Sequence, residues 1–231
     1  MKIGIIGAME SEVHALQQAM TDAQAFEYAK MYFCEGKLEG QDAVVVKCGM
    51  GKVNAALCVQ LLKNLFQVTH VINTGVAGAL SKELDIGDIV ISTEAVQHDF
   101  DLSPIGFQKG EIPPFGLVAF PADLKLRQIA EESAMEAGLN ITVHSGRICS
   151  GDQFIAGQEQ KHRIISEFGG MCAEMEGASI AQACCANDLP FVILRAISDR
   201  ADDSGGVSFS VFEAEAAKHC IALVTKMMQN L

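Results

Sequence analysis

Leu189-Pro190-Phe191-Val192-Ile193-Leu194-Arg195-Ala196-Ile197-Ser198-Asp199 is the stretch that decides the fold class. Its apolar run, Leu189–Leu194, has the composition of a strand covered on both faces, which reads as continuous hydrophobicity rather than alternation. A buried parallel strand that ends in Ser198-Asp199 puts a carboxylate at the sheet edge where α/β proteins take up ligands. Upstream, Ala173-Glu174-Met175-Glu176-Gly177-Ala178 sets acidic, sulfur-containing and small residues at the entry of a small-residue helix. Two carboxylates brought together this way are worth more as chemistry than as packing.

Outward from these runs, β-branched apolar segments recur at Lys2–Gly7, Ala43–Lys47, His70–Thr74, Asp88–Ser92, Thr142–Ser150 and Phe191–Ile197. Helical spacing fills the intervals at Glu10–Met20, Lys52–Phe66, Asp123–Gly138, Glu176–Asn187 and Ser210–Gln229. Segments around Met31–Glu35 and Lys37–Val46 read as a hairpin that need not be parallel. The order predicts a three-layer α/β/α domain around a mixed central sheet, one domain over residues 1–231. His98 to Phe120, with Pro104, Pro113 and Pro114, is the one long irregular stretch, and such loops serve function or contacts.

The 231 residues are 49% hydrophobic, enough for one large core. No run is long and apolar enough for a membrane span, and the apolar N-terminus meets Glu10 and Glu12 at once, so it reads as a first strand rather than a signal peptide. A formal charge of −12 opposes a nucleic-acid backbone as partner. Eight cysteines show neither C-x-x-C nor metal-ligand spacing, which predicts reduced, mostly buried thiols in a cytoplasmic protein. The histidines are scattered, and no metal site is expected. His98-Asp99 is the one histidine pair that suggests chemistry.

Glycine turns sit where strands end: Gly7-Ala8-Met9-Glu10, Gly49-Met50-Gly51-Lys52 and Thr74-Gly75-Val76-Ala77-Gly78. Such turns let a ligand approach the backbone. None matches G-x-G-x-x-G or a P-loop, which excludes a dinucleotide oxidoreductase of that type.

Six motifs stand in register along the chain: Ile3-Gly4-Ile5-Ile6-Gly7-Ala8-Met9-Glu10-x-Glu12, Gly49-Met50-Gly51-Lys52-Val53-Asn54-Ala55, Asn73-Thr74-Gly75-Val76-Ala77-Gly78, Ser150-Gly151-Asp152-Gln153-Phe154-Ile155, Glu174-Met175-Glu176-Gly177-Ala178 and Arg195-Ala196-Ile197-Ser198-Asp199. Together they resemble the bacterial 5'-methylthioadenosine/S-adenosylhomocysteine nucleosidases. The resemblance implies a nucleoside-phosphorylase-like fold, a homodimer, no cofactor, and hydrolysis of an adenine nucleoside to adenine and a 5'-substituted ribose. 5'-Deoxyadenosine and 6-amino-6-deoxyfutalosine are further candidate substrates. Gln97-His98-Asp99-x-Asp101-Leu102-Ser103 and Gly151-Asp152-Gln153-Phe154 resemble members associated with the futalosine route.

Breaking an N-glycosidic bond through an oxocarbenium-like ribosyl group calls for a proton on the departing purine, a base for water, and anchored ribose hydroxyls. By resemblance Asp199 is the acid, Glu12 the base and Glu176 the acceptor of the ribose hydroxyls. Burial must raise the pKa of Asp199 for that role. Read alone, Glu12 in a first helical turn also opposes the macrodipole, worth ~0.3–1 kcal/mol. Asp199 has Arg195 and Arg200 as possible ion-pair partners. The resemblance further implies Phe154 stacked on the purine with backbone atoms of Ile155 at its edge, and Met175 and Phe209 beside the ribose. Ala8, Met9 and Met50 would lie near the 5' group, where methionine gives a polarisable surface for a thioether. Val76, which stands where many members have serine, completes the lining with Gly78, Glu174 and Ser198. Leu102 and Ile105, the latter in place of an aromatic, match positions that reach a partner's pocket.

A phosphate-dependent purine nucleoside phosphorylase is the nearest alternative. Phosphate requires cations or a helix N-terminus free of acid, whereas Glu10 and Glu12 flank the first turn and no arginine precedes Arg127. A non-catalytic nucleoside-binding protein is the alternative from another class, but it has no need of three carboxylates.

Overall fold

The computed structural model describes residues 1–138, 141–202 and 205–231. In chain order the elements are β1 (Lys2–Gly7), α1 (Glu10–Ala19), β2 (Thr21–Tyr28), β3 (Met31–Leu38), β4 (Gln41–Lys47), α2 (Lys52–Phe66), β5 (His70–Ala79) and β6 (Ile89–Gln97). A 3-10 turn (Ser103–Ile105), β7 (Ala119–Pro121), α3 (Leu124–Glu136), β8 (Val143–Ser150), α4 (Gln158–Phe168), β9 (Cys172–Glu174), α5 (Gly177–Ala186), β10 (Phe191–Asp199) and α6 (Gly205–Asn230) follow.

β10 is buried at every residue, as its composition predicts. Its side chains alternate between two cores. Phe191, Ile193 and Ile197 enter the core shared with α2 and α5. Val192, Leu194 and Ala196 enter the core shared with α1, α3 and α6. β4 divides likewise, with Val44 and Val46 on the first side and Ala43 and Val45 on the second. Helices therefore cover both faces of a mixed sheet, the expected three-layer α/β/α arrangement. Fully buried Leu223, Val224 and Met227 hold α6 against its face, each worth ~1.5–3 kcal/mol.

β1, β4, β5 and β10 are mutually parallel neighbours, while β10 pairs β6 antiparallel. β6 pairs β8, β8 pairs β9, and β9 returns to β5, so this end of the sheet closes on itself. The closure gathers the ends of β5, β9 and β10 in one place.

Several elements depart from the sequence reading. β2 carries little sequence signal because its residues are almost all exposed, without the core-facing apolar stripe of a half-buried strand. α4 buries only Ile164 and Phe168, and β9 is three residues long. The hairpin's second strand starts at Gln41 rather than Lys37, since Glu39 and Gly40 turn with positive φ. Within the irregular stretch, β7 pairs with β6. α6 begins at Gly205, ahead of Ser210.

Candidate active site

A cleft of about 480 Å³, open mouth included, lies where β1, β5, β9 and β10 end. Ala8 and Met9 follow β1, Val76, Ala77 and Gly78 close β5, and Ser198 and Asp199 end β10. Ala173, Glu174, Met175 and Glu176 form a second wall, with Glu12, Met50, Phe154 and Phe209 completing the lining. A smaller recess shares Gly78, Phe154, Glu174, Met175 and Asp199 with it and adds Ile155.

Glu12 is the third residue of α1, and its carboxylate folds back over the helix start. Oε2 accepts the backbone N–H of Ala8 at 2.6 Å and of Met9 at 2.9 Å. Oε1 accepts the N–H of Val76 at 3.1 Å. A carboxylate has about four lone-pair sites, so three backbone donors leave one, on Oε1. Burial raises its pKa against Arg195 and the three N–H groups. Helix capping and a role in the cleft are thus compatible in one side chain. Gly75 makes room for it: a Cβ there would stand 2.6 Å from Glu12 Oε1 and would collide with the Arg195 guanidinium.

Arg195 sits in β10 at the core-facing position between Ile193 and Ile197, and it is 1% exposed. Its NH2 donates to Asn73 Oδ1 at 2.7 Å and its Nε to Glu174 Oε2 at 3.1 Å; NH2 also bonds that carboxylate oxygen. Asn73 is oriented by its own Nδ2, which donates to the Ile6 carbonyl at 2.9 Å. Burial works against the guanidinium charge, but Glu174, Glu176 and Glu12 outweigh it and hold Arg195 protonated above its ordinary pKa. Arg195 was not read as a site residue. The signal was there, since a guanidinium within a nine-residue buried strand must find carboxylates.

Glu174 and Glu176 differ in what remains open to a ligand. Glu174 Oε1 accepts from Ser150, and Oε2 from Arg195 and the backbone N–H of Glu176 and Gly177 at 3.1 and 2.8 Å. Among the described residues Glu176 Oε1 accepts only the Gly51 N–H, at 2.7 Å, and its Oε2 lies 3.9 Å from Arg195, beyond hydrogen-bond range. Burial and the neighbouring Glu174 push the Glu176 carboxyl up to about 7, against the pull of Arg195 and the Gly51 N–H.

Asp199 follows a β-bulge after Ile197, which re-aims the strand end. Its Oδ1 accepts the Ala201 N–H at 2.8 Å, and Ser198 Oγ donates to Oδ2 at 2.9 Å. Burial raises its pKa, as an acid at this position requires, although those two donors oppose the shift. Neither arginine suggested by sequence proximity pairs with it. Arg195 turns to Glu174, and Arg200 pairs with Asp85 at 3.0 Å. A Cβ on Gly78 would stand 2.7 Å from Asp199 Oδ1.

Phe154 and Phe209 meet edge to face at the mouth, with centroids 5.5 Å apart and planes at 82°. Phe154 is 45% exposed and Met50 63%, so both offer apolar area to an incoming ligand. The structure thus gathers all but two of the sequence-predicted site residues around the cleft and its recess. Leu102 precedes the 3-10 turn, Ile105 ends it, and they line neither; Ile105 is 71% exposed.

The remoteness of arginines from the first turn holds in sequence but not in space, because Arg195 reaches Glu12. Its hydrogen bonds already go to Glu174 and Asn73. Beside that cation the cleft presents the carboxylates of Glu12, Glu174 and Glu176, whose negative charge opposes a phosphate dianion.

Residues 2–229 match the sequence profile of the phosphorylase superfamily. The chain is 43% identical over 232 residues to a 5'-methylthioadenosine/S-adenosylhomocysteine nucleosidase of Haemophilus influenzae, covering all of both chains. The nucleosidase of Colwellia psychrerythraea, solved in complex with adenine, superposes with a TM-score of 0.96 at 40% identity, over 100% of this chain and 96% of that one. A futalosine hydrolase of Helicobacter pylori gives 0.94 at 34% identity, over 100% and 98%.

Proposed function

The chain belongs to the phosphorylase superfamily and, within it, to the 5'-methylthioadenosine/S-adenosylhomocysteine nucleosidases, and from that premise we propose how its carboxyl groups divide the work of hydrolysis. The observation that carries the division is the different unused capacity of each carboxylate. Glu12, held by three backbone donors, has one lone pair left on Oε1. That lone pair takes a proton from water as it attacks the anomeric carbon. Glu176 has Oε2 open for the ribose 2'- and 3'-hydroxyls. Its charge also favours the cationic sugar ring. Asp199, raised by burial, carries a proton on Oδ2 to the purine N7 as the base leaves.

Phe154 faces the purine, with Ile155 in the recess beside Asp199, and Met175 and Phe209 flank the ribose. Ala8, Met9, Met50 and Val76 form the apolar end that takes the 5' thioether. Glu174 lines the cleft with its oxygens engaged, and so serves by holding Arg195 and the backbone of Glu176. Methylthioadenosine and S-adenosylhomocysteine are the substrates, and 5'-deoxyadenosine fits the same apolar end. The likeness to a futalosine hydrolase supports 6-amino-6-deoxyfutalosine as a further substrate.

The protein acts as a cytoplasmic homodimer in which Leu102 and Ile105 approach the partner's cleft. The exposure of Ile105 away from this chain's own cleft supports that reading. Among the described residues no helix is long and apolar enough to cross a membrane.

Glu12→Gln tests the assignment of the base. Adenine release should fall by about 10²–10⁴ while tight binding of a non-hydrolysable nucleoside analogue persists. A variant that keeps near-wild-type turnover would remove Glu12 from the mechanism. Adenine release from the four nucleosides, compared side by side, ranks the substrates.

A further inference from the structure

His98-Asp99 contributes nothing to the cleft lining, yet its surroundings are built with care. Asp99 Oδ1 accepts from Lys52 Nζ at 2.7 Å, and Oδ2 accepts the Asp152 backbone N–H at 2.9 Å. Asp152 answers through Oδ1, which accepts the Lys52 backbone N–H at 2.8 Å. Lys52 is held twice more: its Nζ reaches Gln97 Oε1 at 3.1 Å, and its carbonyl accepts from Ser179 Oγ at 2.6 Å. The Lys52–Asp99 pair is mostly buried, with side chains 20% and 17% exposed. Burial alone would raise the Asp99 carboxyl, but the Lys52 ammonium and the Asp152 N–H hold it below its ordinary range.

These bonds join two turns that each send a residue to the cleft lining. One is Gly49-Met50-Gly51, which supplies the Met50 wall and the Gly51 N–H to Glu176 Oε1. The other is Gly151-Asp152-Gln153-Phe154, which supplies the aromatic wall. Both turns fit the contact tightly. Gly51 has φ +94°, and a Cβ on it would stand 3.0 Å from Asp152 Oδ1. A Cβ on Gly151 would stand 2.5 Å from His98 Nε2. The His98 ring is buried, and desolvation lowers its pKa, so it packs there as a neutral group.

We propose that Asp99 is a positioning residue, one carboxylate that clasps the Met50–Gly51 turn to the Asp152–Phe154 turn and so fixes both Glu176 and the purine wall. It acts through Gly51 and Phe154 and touches no reacting atom. The groups facing Glu176 are Glu174 from β9, Arg195 from β10, Glu12 from α1 and Cys48 beyond β4. The Gly51 N–H is the neutral donor among its neighbours that favours the charged form. Loosening the clasp withdraws that donor, weakens ribose anchoring and shifts Glu176 toward protonation.

The inference rests on Glu176 as the ribose carboxylate, and Glu176→Gln is the control that separates the two claims. In the full chain, Asp99→Ala should raise KM for methylthioadenosine about tenfold while kcat changes by less than about threefold. The acidic limb of kcat/KM should move up by about half a pH unit or more. Asp99→Asn keeps one acceptor oxygen but turns an NH2 donor toward either Lys52 Nζ or the Asp152 N–H, and should recover only part of both effects. Lys52→Met, which removes the same clasp from its other side, should reproduce them even if Asp99→Ala fails to fold. Unchanged KM and an unmoved acidic limb in Asp99→Ala and Lys52→Met would overturn the proposal. So would a kcat loss at constant KM. If Glu176→Gln itself leaves KM and the acidic limb as in the wild type, the ribose assignment fails first, and with it this route of action.

Discussion

Glu176→Gln should stabilise the protein against unfolding at alkaline pH, even though it impairs catalysis. The Glu176 carboxyl is 5% exposed, beside Glu174, and its pKa stands at about 7 against an ordinary 4.5. The folded state therefore holds this proton more tightly than the unfolded chain does. Wild-type stability from this group is present below pH 4.5 and is lost as pH rises through about 7. Glutamine does not titrate and escapes that loss. With each pKa unit worth ~1.36 kcal/mol, the variant should gain ~2.5 kcal/mol relative to wild type between pH 5 and pH 8. In a chain of this size that corresponds to about 5–10 °C in Tm. Urea unfolding followed by circular dichroism at the two pH values measures it directly. A stability difference between variant and wild type that stays constant within ~0.5 kcal/mol from pH 5 to pH 8 would refute the reasoning, because Glu176 would then ionise like an ordinary carboxylate. Wild-type kcat/KM should fall on the acid side of pH 7 as the same carboxylate takes up its proton.

Asp199→Asn keeps an acceptor for the Ala201 N–H but has no proton to give. Adenine release should drop by about 10²–10⁴, and calorimetry should find adenine still bound; a loss under tenfold would contradict the acid role. Arg195→Met strands Glu174 and Glu176 without their cation, and should cost ~3–5 kcal/mol in urea unfolding; a cost under ~1 kcal/mol would show that the cluster relaxes without it.

Much of this was legible because burial and chemistry leave separate marks in a chain. The unbroken apolar run of β10 is what a strand covered on both faces needs, and Ser198-Asp199 at its end stands out against it. Glu12 was visible as a carboxylate after a glycine turn. What the sequence could not display was its company: three backbone N–H groups and a guanidinium from the far end of the chain. Arg195 stands out as a charge inside a hydrophobic strand, but its partners Asn73 and Glu174 lie far apart in the chain and only the fold brings them to it. β2 and α4 escaped because neither buries a full apolar face. Leu102 and Ile105 were placed by resemblance alone, and this chain's own cleft does not include them.

The most direct test of the central claim, that Glu12 and its neighbours make water the nucleophile, is adenine release from methylthioadenosine by protein exchanged into phosphate-free buffer. The carboxylate-rich cleft predicts full turnover without phosphate, one equivalent of free methylthioribose per adenine, and no acceleration when phosphate is added. Turnover that depends strictly on phosphate, with the sugar recovered as its 1-phosphate, would contradict it.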